Sequence, residues 1–349
     1  MASVEATTTT GHSDTIGEVL AWSRGMIEPA MREAVEVLPQ SMRRIAGYHF
    51  GWWDEHGRQS EGSSGKVMRP ALVLLTAEAV GGIPAVAVPA AVAVELVHNF
   101  SLLHDDVMDG DTTRRHRATA WTVFGLNGAI LAGDSLLTQA LAVLAASRHP
   151  AVPEAMRQLS VAVNELLEGQ MADLSFEERD DVDVDECLAM AIGKTAALPR
   201  VACAMGAMFG GGSAEQVAHL ARFGEDVGLA FQLVDDLLGI WGDPARTGKP
   251  VFSDLQNRKK SLPVVYALTS GTPAARELAA LYQRTESLEP AELARAASLV
   301  EAAGGREWAV EKADSLLAQG LRHLELSAPR TRAGGQLTML ARLITSRDR

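Results

Sequence analysis

Four aspartates fall within seven residues at positions 105–111, in the stretch SLLHDDVMDGD (residues 101–111), with no Lys or Arg among them. On a helix Asp105 and Asp109 are four residues apart and project from one face, with Asp106 beside them. Like charges at that spacing repel by roughly a few tenths of a kcal/mol when solvated and by more when half-buried, so the cluster calls for a cation. A solvated acidic helix end is the plain alternative, but the apolar run VELVHNFSLL leads straight into the aspartates and favours a cleft. A second stretch, FQLVDDLLGIWGD, has the same form: an apolar segment ends in Asp235 and Asp236, with Asp243 two turns further on. Two such helices facing each other make a carboxylate box for a hard divalent cation. Mg²⁺ suits it best, because Mg²⁺ takes one or two carboxylates and fills its octahedron with water and substrate phosphate.

Phosphate in turn requires cationic side chains. They stand at Lys66 and Arg69 in SSGKVMRP, at Arg114, Arg115 and Arg117 in TTRRHR, and at Lys194 beside Thr195 in IGKT. The loop GDPARTGKPVFSDLQNRKKS adds Arg246, Lys249, Arg258, Lys259 and Lys260 around Asp243 and Asp254. Other ligand patterns fail on composition. DVDVDE at residues 181–186 has Glu186 where an EF-hand loop needs Gly and Ile192 where it needs its bidentate Glu, so it reads as an exposed loop or a helix start. FGGGS lacks the lysine and the strand-loop-helix context of a nucleotide cradle. His98 and His104 lie among carboxylates, which favours hydrogen bonding to phosphate or a structural role over metal ligation.

The elements that must carry these residues are helices. Apolar residues recur at helical spacing along nearly every long segment, and alternating β-branched runs are scarce. Residues 17–38 form an amphipathic helix, and Ser213 with Gln216 makes a capping box that starts a helix running to about Trp241. A helix resumes at LPVVYAL after the charged loop. No repeat or composition break divides the chain, so the expectation is a flexible tail over residues 1–14 and one all-α catalytic domain over residues 15–349.

Composition narrows the function classes. The formal charge of -12 argues against general nucleic-acid binding, and the 47% hydrophobic and 22% charged content is that of a soluble globular chain. Two cysteines, Cys187 and Cys203, follow no metal-ligand spacing and are too few for a disulfide framework, which fits a reducing cytoplasm. The N-terminus lacks the basic and apolar regions of a signal peptide. The most apolar stretch, residues 83–97, is interrupted by Pro89 and Glu95 and is shorter than the ~20 residues of a membrane span, so no span is expected.

Taken in order, GKVMRP, HNFSLLHDDVMD, TTRRHR, FQLVDD and GDPARTGKP resemble the motifs of the trans-polyprenyl diphosphate synthase family, across roughly residues 66–263. The resemblance implies an all-α isoprenoid synthase fold, a helical bundle around a central active-site cavity, usually as a homodimer. It implies a prenyltransferase that condenses isopentenyl diphosphate with an allylic diphosphate. Loss of the allylic diphosphate leaves a carbocation, the alkene of isopentenyl diphosphate attacks it, and proton loss, with the released diphosphate as base, gives a product longer by five carbons. By the same resemblance Asp105 and Asp109 hold two Mg²⁺ ions and Asp235 a third, with Asp106, Asp236 and Asp254 in support. Arg114, Lys194 and Lys249 match the cations on the allylic diphosphate, with Thr195, Gln232 and Lys259 also on the substrate. Lys66, Arg69, His98 and Arg115 match the metal-free isopentenyl diphosphate pocket, and Gln170 and Asp173 fall on family positions. Gly239 departs from the pattern, standing where the second motif usually ends in a third Asp. Asp235 is retained and Asp243 is close enough in sequence to share charge, so metal binding is expected to survive.

Chain length in this family is read just before the first motif. Phe100 and Ser101, five and four residues ahead of Asp105, pair a large ring with a small side chain as geranylgeranyl diphosphate synthases do. A C20 product is therefore expected over a farnesyl or longer one. Two other functions use the same fold: a terpene cyclase, which needs no isopentenyl diphosphate pocket and carries a different metal motif not found at residues 225–254, and a non-catalytic partner subunit, supported only by Gly239.

Overall fold

A computed structural model of the chain describes residues 15–60, 67–244, 250–284 and 286–345. The expected tail at residues 1–14 lies outside the described residues, as do Lys66, Arg246 and Lys249.

The chain is built from helices, as its periodicity predicts. In order they are α1 (Ile16–Glu36), α2 (Gln40–His49), α3 (Met68–Ala79), α4 (Val88–Met108), α5 (Ala120–Phe124), α6 (Leu126–Ala146), α7 (Val152–Glu177), α8 (Val184–Ala191), α9 (Ala197–Phe209) and α10 (Ala214–Trp241). After the charged loop come Ser253–Gln256, Leu262–Thr269, Pro273–Tyr282, Pro290–Ala302, Gly305–Leu326 and Thr331–Thr345. Among the described residues the only named strands are a two-residue antiparallel pair, Thr113–Arg114 with Arg117–Ala118.

Local chemistry sets the boundaries that matter for function. Ser213 Oγ accepts the Gln216 N–H at 3.2 Å while the Gln216 side chain accepts the Ser213 N–H at 3.1 Å, so α10 starts at its predicted capping box. Such a cap stabilises a helix by about 1 kcal/mol. The DVDVDE stretch is a helix start of the same kind, with Asp183 and Glu186 capping α8 reciprocally.

Burial along α4 is nearly continuous from Ala90 to Val97, because alanine and valine let α3, α6 and α9 pack close on every side. α10 packs in turn on α9 and on Gly305–Leu326. The two acidic motifs thus end two of the most enclosed helices in the chain. One expectation is corrected here. The apolar run over residues 83–97 continues into a 25-residue helical segment, Pro84–Met108, and among the described residues three segments are long and apolar enough to cross a membrane. Reading only the run up to Val97 missed this, because the helix continues through Asn99, Ser101 and His104. Two of the three lie mostly inside the protein, 72% buried for Pro84–Met108 and 67% for Val184–Phe209, while Leu126–Ala146 is only 33% buried.

Candidate active site

Asp105 and Asp106 lie on the last turn of α4, and Asp109 is its C-cap. They divide by environment. Asp106 is 1% exposed, and its Oδ1 accepts from Arg114 Nε at 2.6 Å across the strand pair. Its Oδ2 is buried without a hydrogen-bond partner among the described residues. Asp105 and Asp109 make no side-chain hydrogen bond or ion pair among the described residues and stand toward Lys194. Burial pushes the Asp105 carboxyl up to about 6 against the pull of Lys194, and Asp109 adds repulsion. At the rim, partial desolvation raises Asp109, Lys194 pulls it back, and Asp173 and Asp111 raise it further. Asp111 points away, its carboxylate 3.9 Å from Arg114 and its carbonyl accepting from Thr119 and Trp121.

The second motif divides in the same way. Asp236 is 3% exposed and fully engaged: it accepts from Gln232 Nε2 at 2.7 Å and from the Leu262 N–H at 3.0 Å, so it holds the first residue of the helix Leu262–Thr269. Burial lifts its carboxyl to about 6, with Lys259, 3.9 Å away, acting against that rise. Asp235 is half-buried and carries no hydrogen bond or ion pair among the described residues. Three carboxylates, Asp105, Asp109 and Asp235, are therefore uncommitted, while their immediate neighbours hold the scaffold.

Two lysines sit between the sets. Lys194 and Thr195 lie on a π-helical turn, Ile192–Ala196, between α8 and α9. Such widened turns are frequent at functional sites. Lys194 Nζ donates to Asp173 of α7, and Thr195 Oγ1 donates to Gln232 Oε1 at 2.6 Å, which links the turn through Gln232 to Asp236. The turn reaches α7 because both contact points are glycine: a Cβ on Gly169 would lie 2.4 Å from the Lys194 nitrogen, and one on Gly193 2.5 Å from the Glu165 carbonyl oxygen. Burial acts to lower the Lys259 ammonium, but Asp236, Asp254, Asp173 and Asp235 outweigh it and raise its pKa above the ordinary lysine value. Gln170, one turn before Asp173, is 3% exposed, and neither amide atom finds a hydrogen-bond partner among the described residues.

Beside the first motif is a second, cationic recess. A small cavity is lined by Tyr48, His49, Asp106, Arg114, Arg115 and Arg117. Arg115 and His116 form the tip of the strand pair with φ of 52° and 61°, a left-handed turn. Arg69 Nη1 donates to His98 Nε2 at 3.2 Å, and burial with the nearby arginines holds His98 well below its usual pKa, hence neutral. His49 donates to Asn99 at 3.1 Å, and Asn99 Nδ2 donates to Glu95, within the field of Arg69 and Arg115.

The structure corrects the charged loop. Lys259 alone of the described loop cations faces the acidic sets. Arg258 donates to the Glu286 carbonyl, Lys260 donates to the Phe176 carbonyl at 2.7 Å, and Asp243 is exposed beyond the end of α10. His104 is structural: its ring packs on α6 at Gly133, and Nε2 donates to the Ile130 carbonyl at 3.0 Å. Phe100, 3% exposed, sits edge-on to that ring at 4.7 Å, while Ser101 Oγ donates back to the His98 carbonyl. His49, Asn99, Glu95, Tyr48 and Gly169 were not among the predicted site residues. Only Glu95 left a signal, as the single charge inside an apolar run.

No three His, Cys, Asp or Glu side chains converge into a closed metal cage among the described residues. The donor set nevertheless fits Mg²⁺. It consists of hard carboxylate oxygens, uncommitted, two of them raised in pKa chiefly by burial, in the incomplete arrangement that suits an ion finished by phosphate and water.

Comparison with known proteins agrees with this architecture. The polyprenyl synthetase family pattern matches residues 52–300. A (2E,6E)-farnesyl diphosphate synthase of Mycobacterium tuberculosis is 47% identical over 95% of this chain and 93% of its own length. A geranylgeranyl diphosphate synthase of the same organism is 45% identical over the same shares. The crystal structure of a polyprenyl synthetase from Streptomyces coelicolor superposes with a TM-score of 0.90 at 44% identity, covering 95% of this chain and 99% of that one. A geranylgeranyl pyrophosphate synthase from Corynebacterium glutamicum, complexed with isoprenyl diphosphate and magnesium, superposes with a TM-score of 0.78 at 27% identity, covering 96% and 100%. The chain belongs to the polyprenyl synthetase family, the trans-polyprenyl diphosphate synthases, and shares its all-α isoprenoid synthase fold and its prenyl-transferring chain elongation in isoprenoid biosynthesis.

Proposed function

We propose that the protein condenses isopentenyl diphosphate with an allylic diphosphate, with Mg²⁺ as cofactor and geranylgeranyl diphosphate as the main product. The observation that carries this reading is the matched division of the two motifs, with Asp105, Asp109 and Asp235 uncommitted and Asp106 and Asp236 tied into the scaffold. Asp105 and Asp109 would hold two Mg²⁺ ions and Asp235 a third. Bound there, Mg²⁺ supplies positive charge against the departing diphosphate. Lys194, Lys249 and Arg114 bind the allylic diphosphate, with Thr195, Gln232 and Lys259 also on the substrate. Asp106 fixes Arg114 by a charge-assisted hydrogen bond. Lys66, Arg69, His98 and Arg115 bind isopentenyl diphosphate, His98 as a neutral imidazole that accepts from Arg69 and keeps that guanidinium in place. Lysines and arginines aimed at a leaving diphosphate in a water-poor cleft stabilise charge where it develops, which is usually the largest single contribution to catalysis. Apolar walls keep water from the carbocation.

Product length rests on Phe100 and Ser101. A ring at 100 closes one side of the cavity floor, and the small Ser101 leaves room for a C20 chain. Farnesyl diphosphate is the second reading, favoured by the name of the 47% identical relative. Incubation with Mg²⁺, isopentenyl diphosphate and farnesyl diphosphate, followed by mass analysis of the prenyl chain, separates the two. A C20 chain is expected, and Ser101→Phe should shorten it. An unreacted farnesyl substrate with C15 made from shorter primers would establish the second reading, and a cyclic hydrocarbon formed without isopentenyl diphosphate would replace both with a cyclase.

The partner is a second copy of the chain, in aqueous cytoplasm. α6 supports this: it is apolar yet 33% buried, with Leu126 and Leu131 half exposed, and Leu167 and Met171 of α7 also stand in solvent.

A further inference from the structure

The C-terminal end of α10 borders a cleft that the two acidic motifs do not use. It measures about 620 Å³, within the range of small-molecule sites. Leu237, Leu238 and Trp241 form its α10 side. Two residues along a helix turn the face by roughly 200°, so Leu237 points away from the face that carries Asp235. Glu301, at the end of the helix Pro290–Ala302, and Val310, in Gly305–Leu326, line it from the other side. The three helices meet at this corner for local reasons. Gly304, with φ of 85°, reverses the chain between the last two, and Gly305 is so close to Pro263 that a Cβ would lie 2.3 Å from its carbonyl oxygen. Trp308 stacks on Tyr266 at 4.7 Å, which leaves Trp241 as the one ring among the lining residues.

The charges around the cleft are unequal. Arg306 is committed: its Nη1 donates to Glu301 at 3.0 Å, and the guanidinium lies 5.2 Å from the centre of the Trp241 ring. Glu307 and Glu311 also line the cleft, and their exposed carboxylates make no hydrogen bond or ion pair among the described residues. One helical turn apart, they repel each other. The cleft thus joins an apolar floor of two leucines, a valine and an indole to two carboxylates without a cationic partner. Arg306 displays the complement inside the protein, a cation seated between the indole and a carboxylate. The sign is opposite to that of a prenyl diphosphate, which offers an apolar chain with an anionic head.

We infer that this cleft is a binding site for an amphipathic organic cation, an amine whose apolar body lies on Leu237, Leu238, Trp241 and Val310 and whose ammonium sits at Glu307 and Glu311. The site is separate from the diphosphate chemistry and does not depend on the Mg²⁺ reading.

The test is isothermal titration calorimetry of the full chain with decylamine below its critical micelle concentration. Decanol and decanoate, run beside it, carry the same chain with no charge and with the opposite one. Decylamine should bind more tightly than either by about tenfold or more, the worth of two exposed ion pairs, and added salt should narrow the gap. Glu307→Gln/Glu311→Gln keeps the shape of the rim and removes its charge, so it should bring decylamine down to the affinity of decanol. Val310→Trp fills the cleft and should abolish that binding. Both glutamates are exposed, so the glutamine pair decides the matter should Val310→Trp fail to fold. Equal affinity for the three probes, no binding of decylamine, or unchanged affinity in the glutamine pair or in folded Val310→Trp overturns the inference.

Discussion

Gly169→Ala tests how the lysine of the π-helical turn is held. The added methyl would meet backbone only: the Lys194 nitrogen at 2.4 Å, the Met190 carbonyl oxygen at 2.9 Å and the Gly193 carbonyl carbon at 3.0 Å. Ordinary contact begins at 3.4 Å, so α7 and the turn must part by about 1 Å. No side chain can rotate out of the way. Overpacking of this kind costs about 1–3 kcal/mol. The same displacement moves Lys194 relative to Asp105 and Asp109, and about 1 Å of misplacement lowers a rate by roughly a hundredfold. Calorimetry should therefore show a stability loss in that range, and steady-state kinetics a fall in kcat of about two orders of magnitude. The KM for isopentenyl diphosphate should change little, because Arg69 and His98 lie on α3 and α4, away from the strained contact. Wild-type stability together with wild-type kcat would refute the close approach as the device that places Lys194.

Two further outcomes follow from the same structure. Asp236→Ala removes the acceptor of the buried Leu262 N–H and of Gln232, and a buried donor left unpaired costs about 1–3 kcal/mol, measurable by urea unfolding. An Asp236→Ala protein of unchanged stability would show that the helix at Leu262 is held by other groups. Asp226, on α10 against Gly320, has its carboxyl raised to about 6 by burial, with repulsion from Glu225 adding to it. Its folded pKa exceeds its unfolded value of 3.8, so protonation favours the folded state and stability is lost as pH rises from about 4 through 6. Asp226→Asn should match the wild type at pH 4 and exceed it at pH 8, and a difference in unfolding temperature that is the same at both values would contradict the assignment.

Much of this molecule is legible in its residues. The capping boxes at Ser213 and Asp183, the helical run ending in each aspartate motif and the scarcity of strands all follow from local chemistry. Helical spacing also puts Asp105 and Asp109 on one face, whereas the choice of Asp235 over Asp236 comes only from the family resemblance. What escapes is tertiary. Arg258, Lys259 and Lys260 are consecutive, yet one meets Glu286, one the acidic sets and one Phe176, because a turn fans its side chains apart. His49 and Asn99 come together from helices 50 residues apart in sequence, with no local pattern to announce it. The carboxylate lying against Gly239 belongs to a residue 15 positions later, a contact that local spacing does not announce. Apolar length misled in a different way: residues 83–97 are only the start of α4's helical segment, and polar residues in its last turns conceal how far it runs.

The account stands or falls on one measurement, incorporation of labelled isopentenyl diphosphate into prenyl product as Mg²⁺ is titrated. The uncommitted carboxylates of Asp105, Asp109 and Asp235 predict incorporation that rises with Mg²⁺ to saturation and disappears in EDTA. Incorporation that persists in EDTA, or none at any Mg²⁺ concentration, would contradict it.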